Sequence, residues 1–100
     1  MKELSRAAVF LHILHHAAKE PVNGAWMSAE LANHGYEISP GTLYPTMHRM
    51  ERDGFLLSSR ELSEGRLIRT YRATDAGIAA LESGRRAVRA LADEILEEPQ

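Results

Sequence analysis

Apolar positions along this chain recur at two different spacings, and the switch between them divides it into elements. From residue 3 to residue 18 the spacing is helical. Leu4, Ala7, Ala8, Leu11, Leu14 and Ala18 share one side, and Phe10, Ile13 and Ala17 widen it. A helix apolar over so much of its girth in a small domain is expected to pack on two partners. Glu20-Pro21-Val22-Asn23-Gly24 breaks the pattern. A second helix is expected from about Ala25 to His34, with Trp26, Met27 and Leu31 as apolar contacts. His34-Gly35-Tyr36-Glu37 then reads as a turn. In the third helix, over 40–53, Leu43, Met47 and Met50 mark one buried face. Ser39 is a good N-cap, Pro40 suits the first helical position, and Gly54 is the expected stop. Pro45 lacks an N–H and crowds the carbonyl of Gly41, so an irregular or kinked first turn is expected there.

Beyond Gly54 the spacing becomes that of strands. Phe55 to Leu62 and Arg66 to Ala73 are expected to form a hairpin around Ser63-Glu64-Gly65, with the glycine available for a positive φ. Alternation turns Tyr71 and Ala73 toward the core and Arg66, Thr70 and Arg72 away. Thr74 then caps a long helix from Asp75 to about Glu97, with Asp75 favourable in its first turn. Leu81, Val88 and Ile95 recur every seven residues in this helix, and Ile78, Leu91 and Ala92 fill the same side. At about 23 residues it extends about 35 Å, longer than so small a core requires. One contiguous exposed apolar stripe is rare on a soluble monomer, so the stripe calls for a partner.

Helix, helix, helix, strand, strand, helix is the order of a winged helix-turn-helix. The expected fold is thus mainly α with a small β-hairpin, in which a long C-terminal dimerisation helix follows the winged domain. Residues 1–74 form the winged domain and residues 75–100 the dimerisation helix.

Composition changes this picture in two places. One hundred residues with no cysteine make one domain and exclude disulfides and thiol chemistry. No apolar run is long enough to span a membrane and the N-terminus lacks a signal-peptide layout, so a cytoplasmic location is expected. The net charge of −2 argues against a nucleic-acid partner, but its distribution argues for one. Residues 40–72 hold six arginines against four acids, whereas the segments on either side are net acidic. The excess is small, so tight binding by a single copy is not expected.

Candidate chemistry is sparse. Ser39, His48 and Asp53 contain the residue types of a hydrolase triad, but Ser39 and His48 are more than two helical turns apart and no oxyanion loop accompanies them. No enzyme activity and no cofactor are expected. His12 and His16 have a helical i, i+4 spacing that can chelate zinc, with His15 beside them and Glu20 the nearest following carboxylate. Histidines on a helix flank more often face solvent or an interface, so no metal site is assigned. A metal-responsive sensor using His12 and His16 stays as an alternative. Another is a winged helix that binds proteins, which the near-neutral charge supports. Trp26 reads as core or partly exposed packing, or as the wall of a cleft at a subunit boundary.

Ser39-Pro40-Gly41-Thr42-Leu43-Tyr44-Pro45, then His48-Arg49-Met50-Glu51, Asp53-Gly54-Phe55-Leu56 and Thr70-Tyr71-Arg72-Ala73-Thr74-Asp75-Ala76-Gly77 resemble the PadR family of bacterial transcriptional regulators. The match covers residues 4–82 well. The resemblance implies a dimeric winged-helix repressor whose third helix reads DNA and whose C-terminal helix pairs across the dimer. Two departures stand out. Many members have Gly-Tyr at the start of the second helix, where this chain has Gly24-Ala25-Trp26. Some multidrug-sensing members stack flat ligands on a tryptophan in the C-terminal helix, and here that helix has no aromatic residue.

The partners expected are therefore a double-stranded, palindromic DNA operator and a second copy of the chain. No small-molecule effector is identified. In the third helix Ser39, Thr42 and Tyr44 are placed to meet phosphates, and Gly41 and Pro45 keep the face thin. His48 and Arg49 reach toward base edges, and Arg52 toward the backbone. Arg66 and Arg69 are the expected wing contacts, because they lie near the hairpin tip. Arg72 sits deeper, where it is expected to bridge to an acid. Leu4, Leu11, Ile78, Leu81, Val88, Leu91 and Ile95 are the expected dimer surface.

Overall fold

The computed structural model describes residues 2–97, so Met1 and residues 98–100 of the two expected regions lie outside the described residues. The elements are α1 (Lys2–Ala17), β1 (Val22–Asn23), α2 (Gly24–Asn33), α3 (Pro40–Arg52), β2 (Leu56–Ser63), β3 (Arg66–Ala73) and α4 (Asp75–Ile95). The fold is mainly α, as the apolar pattern implied, but its sheet has three strands rather than two. The strand order is β1-β3-β2. β1 lies in the segment read as a helix break. It pairs antiparallel with β3 through Val22 opposite Tyr71 and Asn23 opposite Thr70.

Thr70 lies on the face away from Tyr71 and Ala73, as expected, but it is enclosed there. β3 is central, flanked by backbone on both edges, and Thr70 is only 9% exposed. Its hydroxyl lies 3.3 Å from that of Ser59 on β2. Asn23 also caps α2, its Oδ1 accepting the N–H of Trp26 at 2.7 Å.

The core lies where α1, α2 and α3 meet one face of the sheet. Ile13, Leu14, Met27, Leu31, Leu43, Met47 and Leu56 are fully enclosed. Burial of each such side chain contributes about 1.5–3 kcal/mol. α1 turns Val9, Ile13, Leu14 and Ala17 inward and leaves Leu4 at its solvent side. Its inward face is thus rotated from the side that the periodicity picked out.

α3 runs from Pro40 to Arg52 without a break despite Pro45. The carbonyl of Gly41, which loses its helical donor to Pro45, lies on the exposed side where water can satisfy it. One turn on, the Thr46 hydroxyl donates to the carbonyl of Thr42 at 2.8 Å. The helix ends at Gly54, whose φ of 87° is strained for any residue with a Cβ. Gly54 N–H donates to Glu51 O at 3.0 Å and Phe55 N–H to Met50 O at 2.8 Å, the paired bonds of a Schellman stop.

Thr74 fastens three elements together. Its hydroxyl donates to the carbonyl of Gly54 at 2.5 Å and accepts the N–H of Gly77 at 3.0 Å, capping α4. Its own N–H donates to Phe55 O at 3.1 Å. α4 has 21 residues and stops at Ile95, two short of the expected end. Only Gly77 and Leu81 of α4 are buried. Beyond Leu81 the helix leaves the core, and the molecule measures 59 Å along its longest axis against 28 and 20 Å across. No helix among the described residues is long and apolar enough to cross a membrane.

Candidate nucleic-acid interface

α3 buries Leu43, Met47 and Met50 and turns Gly41, Thr42, Tyr44, Pro45, His48, Arg49 and Arg52 outward, all of them exposed. Ser39 has the extended backbone of an N-cap, and its carbonyl accepts from Thr42 and Leu43. Its side chain does not cap, contrary to expectation. The Ser39 hydroxyl instead donates to Thr42 Oγ1 at 3.3 Å, so no side chain covers the first-turn N–H groups. Pro40 has no N–H and the Ser39 carbonyl takes those of Thr42 and Leu43, so the Gly41 N–H is the donor left at this helix start, and with the two neighbouring hydroxyls it suits a phosphate.

Arg49 is held in place by a residue that the sequence pattern did not single out. Its Nη2 donates to Thr46 Oγ1 at 3.3 Å, and Thr46 donates on to the carbonyl of Thr42. The guanidinium is thus steadied along the helix surface. Tyr44 lies with its ring against Gly24, where a Cβ would overlap the phenol. That contact is why α2 opens on a glycine, and it fixes the Tyr44 hydroxyl at the junction of α2 and α3.

The wing is joined to α3 by Glu51. Its carboxylate accepts the Ser58 N–H at 2.8 Å and the Ser58 hydroxyl at 2.8 and 2.9 Å. These bonds to the backbone and side chain of Ser58, with Arg69 and His48 nearby, hold the Glu51 carboxyl below its ordinary 4.5 against the opposing effect of burial. The sequence offered no signal for this tie, which spans seven residues across a turn. Because the folded value is depressed, the tie stabilises the fold above the unfolded pKa and fades as pH falls through the folded one. Glu51→Gln is expected to cost about 1–3 kcal/mol at neutral pH by urea melting. The gap to wild type is expected to close below pH 4.5. A gap that stays constant with pH would rule out the carboxylate as its source.

β2 and β3 pair in unbroken register from Leu56 opposite Ala73 to Ser63 opposite Arg66. The connection is therefore the two residues Glu64 and Gly65, both at positive φ (51° and 78°), a type I′ turn. This register separates the two arginines expected to act together. Arg69 stands opposite Arg60 on the face that carries Leu56, Ser58 and Tyr71, whereas Arg66 projects from the other face. Arg72 is exposed and, among the described residues, bridges to no acid, contrary to expectation. Among the described residues no wing arginine is in an ion pair, and Glu61 and Glu64 pair with none of them.

The histidines meet a different carboxylate from the one expected. Nε2 of His16 and Nε2 of His34 each lie 3.2 Å from Glu30 Oε2, and Glu20 takes no part. His12 stacks beside His34 and Tyr36, with ring centroids 4.9 and 5.4 Å away. Burial, then the neighbouring His34 and His16, hold its pKa below the ordinary 6.5. Among the described residues no three such side chains are grouped to hold a metal. Trp26 is 44% exposed, its ring 5.1 Å from that of His16.

Of the expected dimer residues, Leu4, Ile78, Val88, Leu91 and Ile95 are exposed and Leu11 is half-buried. Leu81 is 4% exposed and belongs to the protomer's own core. Arg85 links α4 to α1, its Nη2 3.3 Å from His15 Nδ1, and also pairs with Glu82 at 2.7 Å.

A family model for the transcriptional regulator PadR-like family matches residues 13–83. The transcriptional regulator Rv3488 of Mycobacterium tuberculosis is 59% identical over 96 residues, covering 96% of this chain and 90% of that protein. A PadR family transcriptional regulator from Eggerthella lenta superposes with a TM-score of 0.80 at 32% identity, over 97% of this chain and 88% of that one. A transcriptional regulator from Clostridium thermocellum, 22% identical, shares the fold with a TM-score of 0.81 over 98% and 99% of the two chains. A motif-bearing helix 3, an attached wing, a family model over more than half of the residues and a relative aligned along nearly its whole length lead to one result: the chain belongs to the PadR-like family of transcriptional regulators.

Proposed function

We propose that the chain is a repressor that acts as a homodimer on a palindromic operator. The observation that carries this reading is the pairing of two unpartnered surfaces. One is the polar outer face of α3, with the Ser39 and Thr42 hydroxyls at its start and the steadied Arg49. The other is the apolar stripe of α4 beyond Leu81. Residues 1–74 read DNA and residues 75–100 hold the two readers at fixed spacing, with the first two turns of α4 also completing the core. A two-fold dimer places two α3 helices on half-sites one turn of DNA or more apart, and that symmetry is why the operator is palindromic. Chromosomal DNA as the target places the protein in the cytoplasm. No catalytic step or cofactor belongs to this reading.

Ser39, Thr42 and Tyr44 contact phosphates, with Pro45 keeping the approach close. His48 and Arg49 meet base edges, and Arg52 the backbone. Selection of bound duplexes from a random pool, followed by sequencing, tests this directly. A two-fold symmetric motif is the expected result, and recovery of no motif would overturn it.

The wing contributes charge. Replacing Arg66 and Arg69 by alanine is expected to make the slope of log K against log salt shallower by about one unit per lost phosphate contact per subunit. The two arginines lie on opposite faces, so the single variants are expected to differ. An unchanged slope in the double variant would show that the wing points away from DNA.

A further inference from the structure

The wing ends in an apolar pair. Leu62 and Leu67 stand directly opposite each other, one step in from Ser63 and Arg66 at the turn. They are 72% and 68% exposed. Polar residues normally fill such a tip, and nothing in the protomer covers these two side chains.

Their placement is not arbitrary. Strand alternation puts Leu62 and Leu67 on the same face as Arg60 and Arg69, and then as Ser58 and Tyr71. Ser58 is the residue that Glu51 of α3 holds through three hydrogen bonds. One face of the ribbon therefore runs outward from the DNA-reading helix. It carries first the carboxylate tie, then an arginine pair, then the leucine pair. Four residues of strand separate Ser58 from Leu62, a reach of about 13 Å. With α3 seated in a major groove, a reach of that length is enough for the tip to meet the adjoining minor groove.

The surroundings select the occupant. Arg60 and Arg69 flank the pair on its own face; Arg66 and Glu61 lie on the other face and Glu64 in the turn, so the face that carries the leucines is the basic one. A second copy of this tip would bring like charges together. DNA offers the complement: phosphates along both edges of a groove, with sugar and base surfaces between them that an apolar side chain can enter.

We propose that Leu62 and Leu67 form a wedge that enters the minor groove beside each half-site, with Arg60 and Arg69 on the flanking phosphates, and that the wedge bends the operator. The proposal rests on α3 being the DNA-reading element. It adds a source of specificity that makes no base hydrogen bonds. Pyrimidine–purine steps unstack most readily, so the wedge favours TA or CA/TG at the position that it enters.

The test uses the full chain and a duplex recovered by selection. Leu62→Thr with Leu67→Thr keeps two strand-favouring residues facing each other and leaves every charge in place. Bending is read by circular-permutation gel shift. Wild type is expected to bend each flank by about 20° or more. The double variant is expected to lose at least half of that bend and about tenfold in affinity. Its salt slope should not change, because no charge is removed.

2-Aminopurine at the entered step gives a second readout that needs no variant, and its fluorescence is expected to rise on wild-type binding. A straight complex with unchanged 2-aminopurine signal, or equal bending by the double variant, overturns the wedge and leaves the DNA reading intact. Failure of wild type to bind any selected duplex overturns both. If the variant loses self-association while bending as wild type does, the pair is a protein contact and the wedge is refuted.

Discussion

Replacing Arg49 by alanine is expected to lower affinity for the selected operator by about 10- to 100-fold, about 1–3 kcal/mol, and to flatten the preference at one base position of each half-site. The size follows from the bond type. An arginine that meets guanine O6 and N7 makes two charge-assisted bonds, and no other residue on the outer face of α3 offers that fork except Arg52, one turn nearer the helix end. Thr46 holds the Arg49 guanidinium at 3.3 Å before DNA arrives, which lessens the ordering cost of binding. Phosphate contacts give the opposite signature. Thr42→Ala or Tyr44→Phe is expected to weaken specific and non-specific duplexes alike, because a phosphate carries no sequence information. Gel shifts on operator and scrambled DNA separate the two patterns. Equal operator affinity for wild type and the Arg49→Ala, Tyr44→Phe double variant would end the assignment of α3 as the reader.

Val88→Glu with Leu91→Glu is expected to yield folded monomers that lose operator binding by about 10²- to 10⁴-fold, the advantage that two tethered half-site contacts would confer on the proposed dimer. These side chains are 54% and 48% exposed, and beyond Leu81 no described α4 residue is fully buried in its own protomer. The substitutions therefore leave the core intact, and helical circular dichroism should be retained. Leu81→Glu behaves differently. It places a carboxylate within the core at a position 4% exposed, and is expected to unfold the chain. Light scattering that gives a monomer mass for wild type at micromolar concentration would overturn the homodimer.

What the chain reveals before folding is what nearby residues decide. Leu43, Met47 and Met50 mark the inner face of α3 because helical spacing alone puts them together. Gly54 and Thr74 end and begin helices through bonds to residues at most four or five away. Contacts made across the fold leave no such trace. β1 is two residues long, too short for alternation, and exists because β3 has a free edge. The Glu51 tie and the choice of Glu30 over Glu20 depend on which elements pack together. The separation of Arg66 from Arg69 is a matter of register. Reading Ser63 as turn rather than strand hides that the connection has only two residues, which sets every cross-strand partner of the wing.

Thr74 leaves no joint between the reading head and the long helix. One side chain bonds to Gly54 at the stop of α3 and to the start of α4, and its N–H joins Phe55, the next residue along. The head and α4 therefore turn as one lever. In the proposed dimer, the angle at which two α4 helices cross would set the angle at which two α3 helices face the duplex. A small change along the apolar stripe, such as a valine for leucine swap that alters the crossing, retunes the distance between half-sites without touching a base-reading residue. In such a dimer new operators would become reachable by substitutions far from the DNA, and a molecule lodged between the two long helices would have a direct mechanical route to release it.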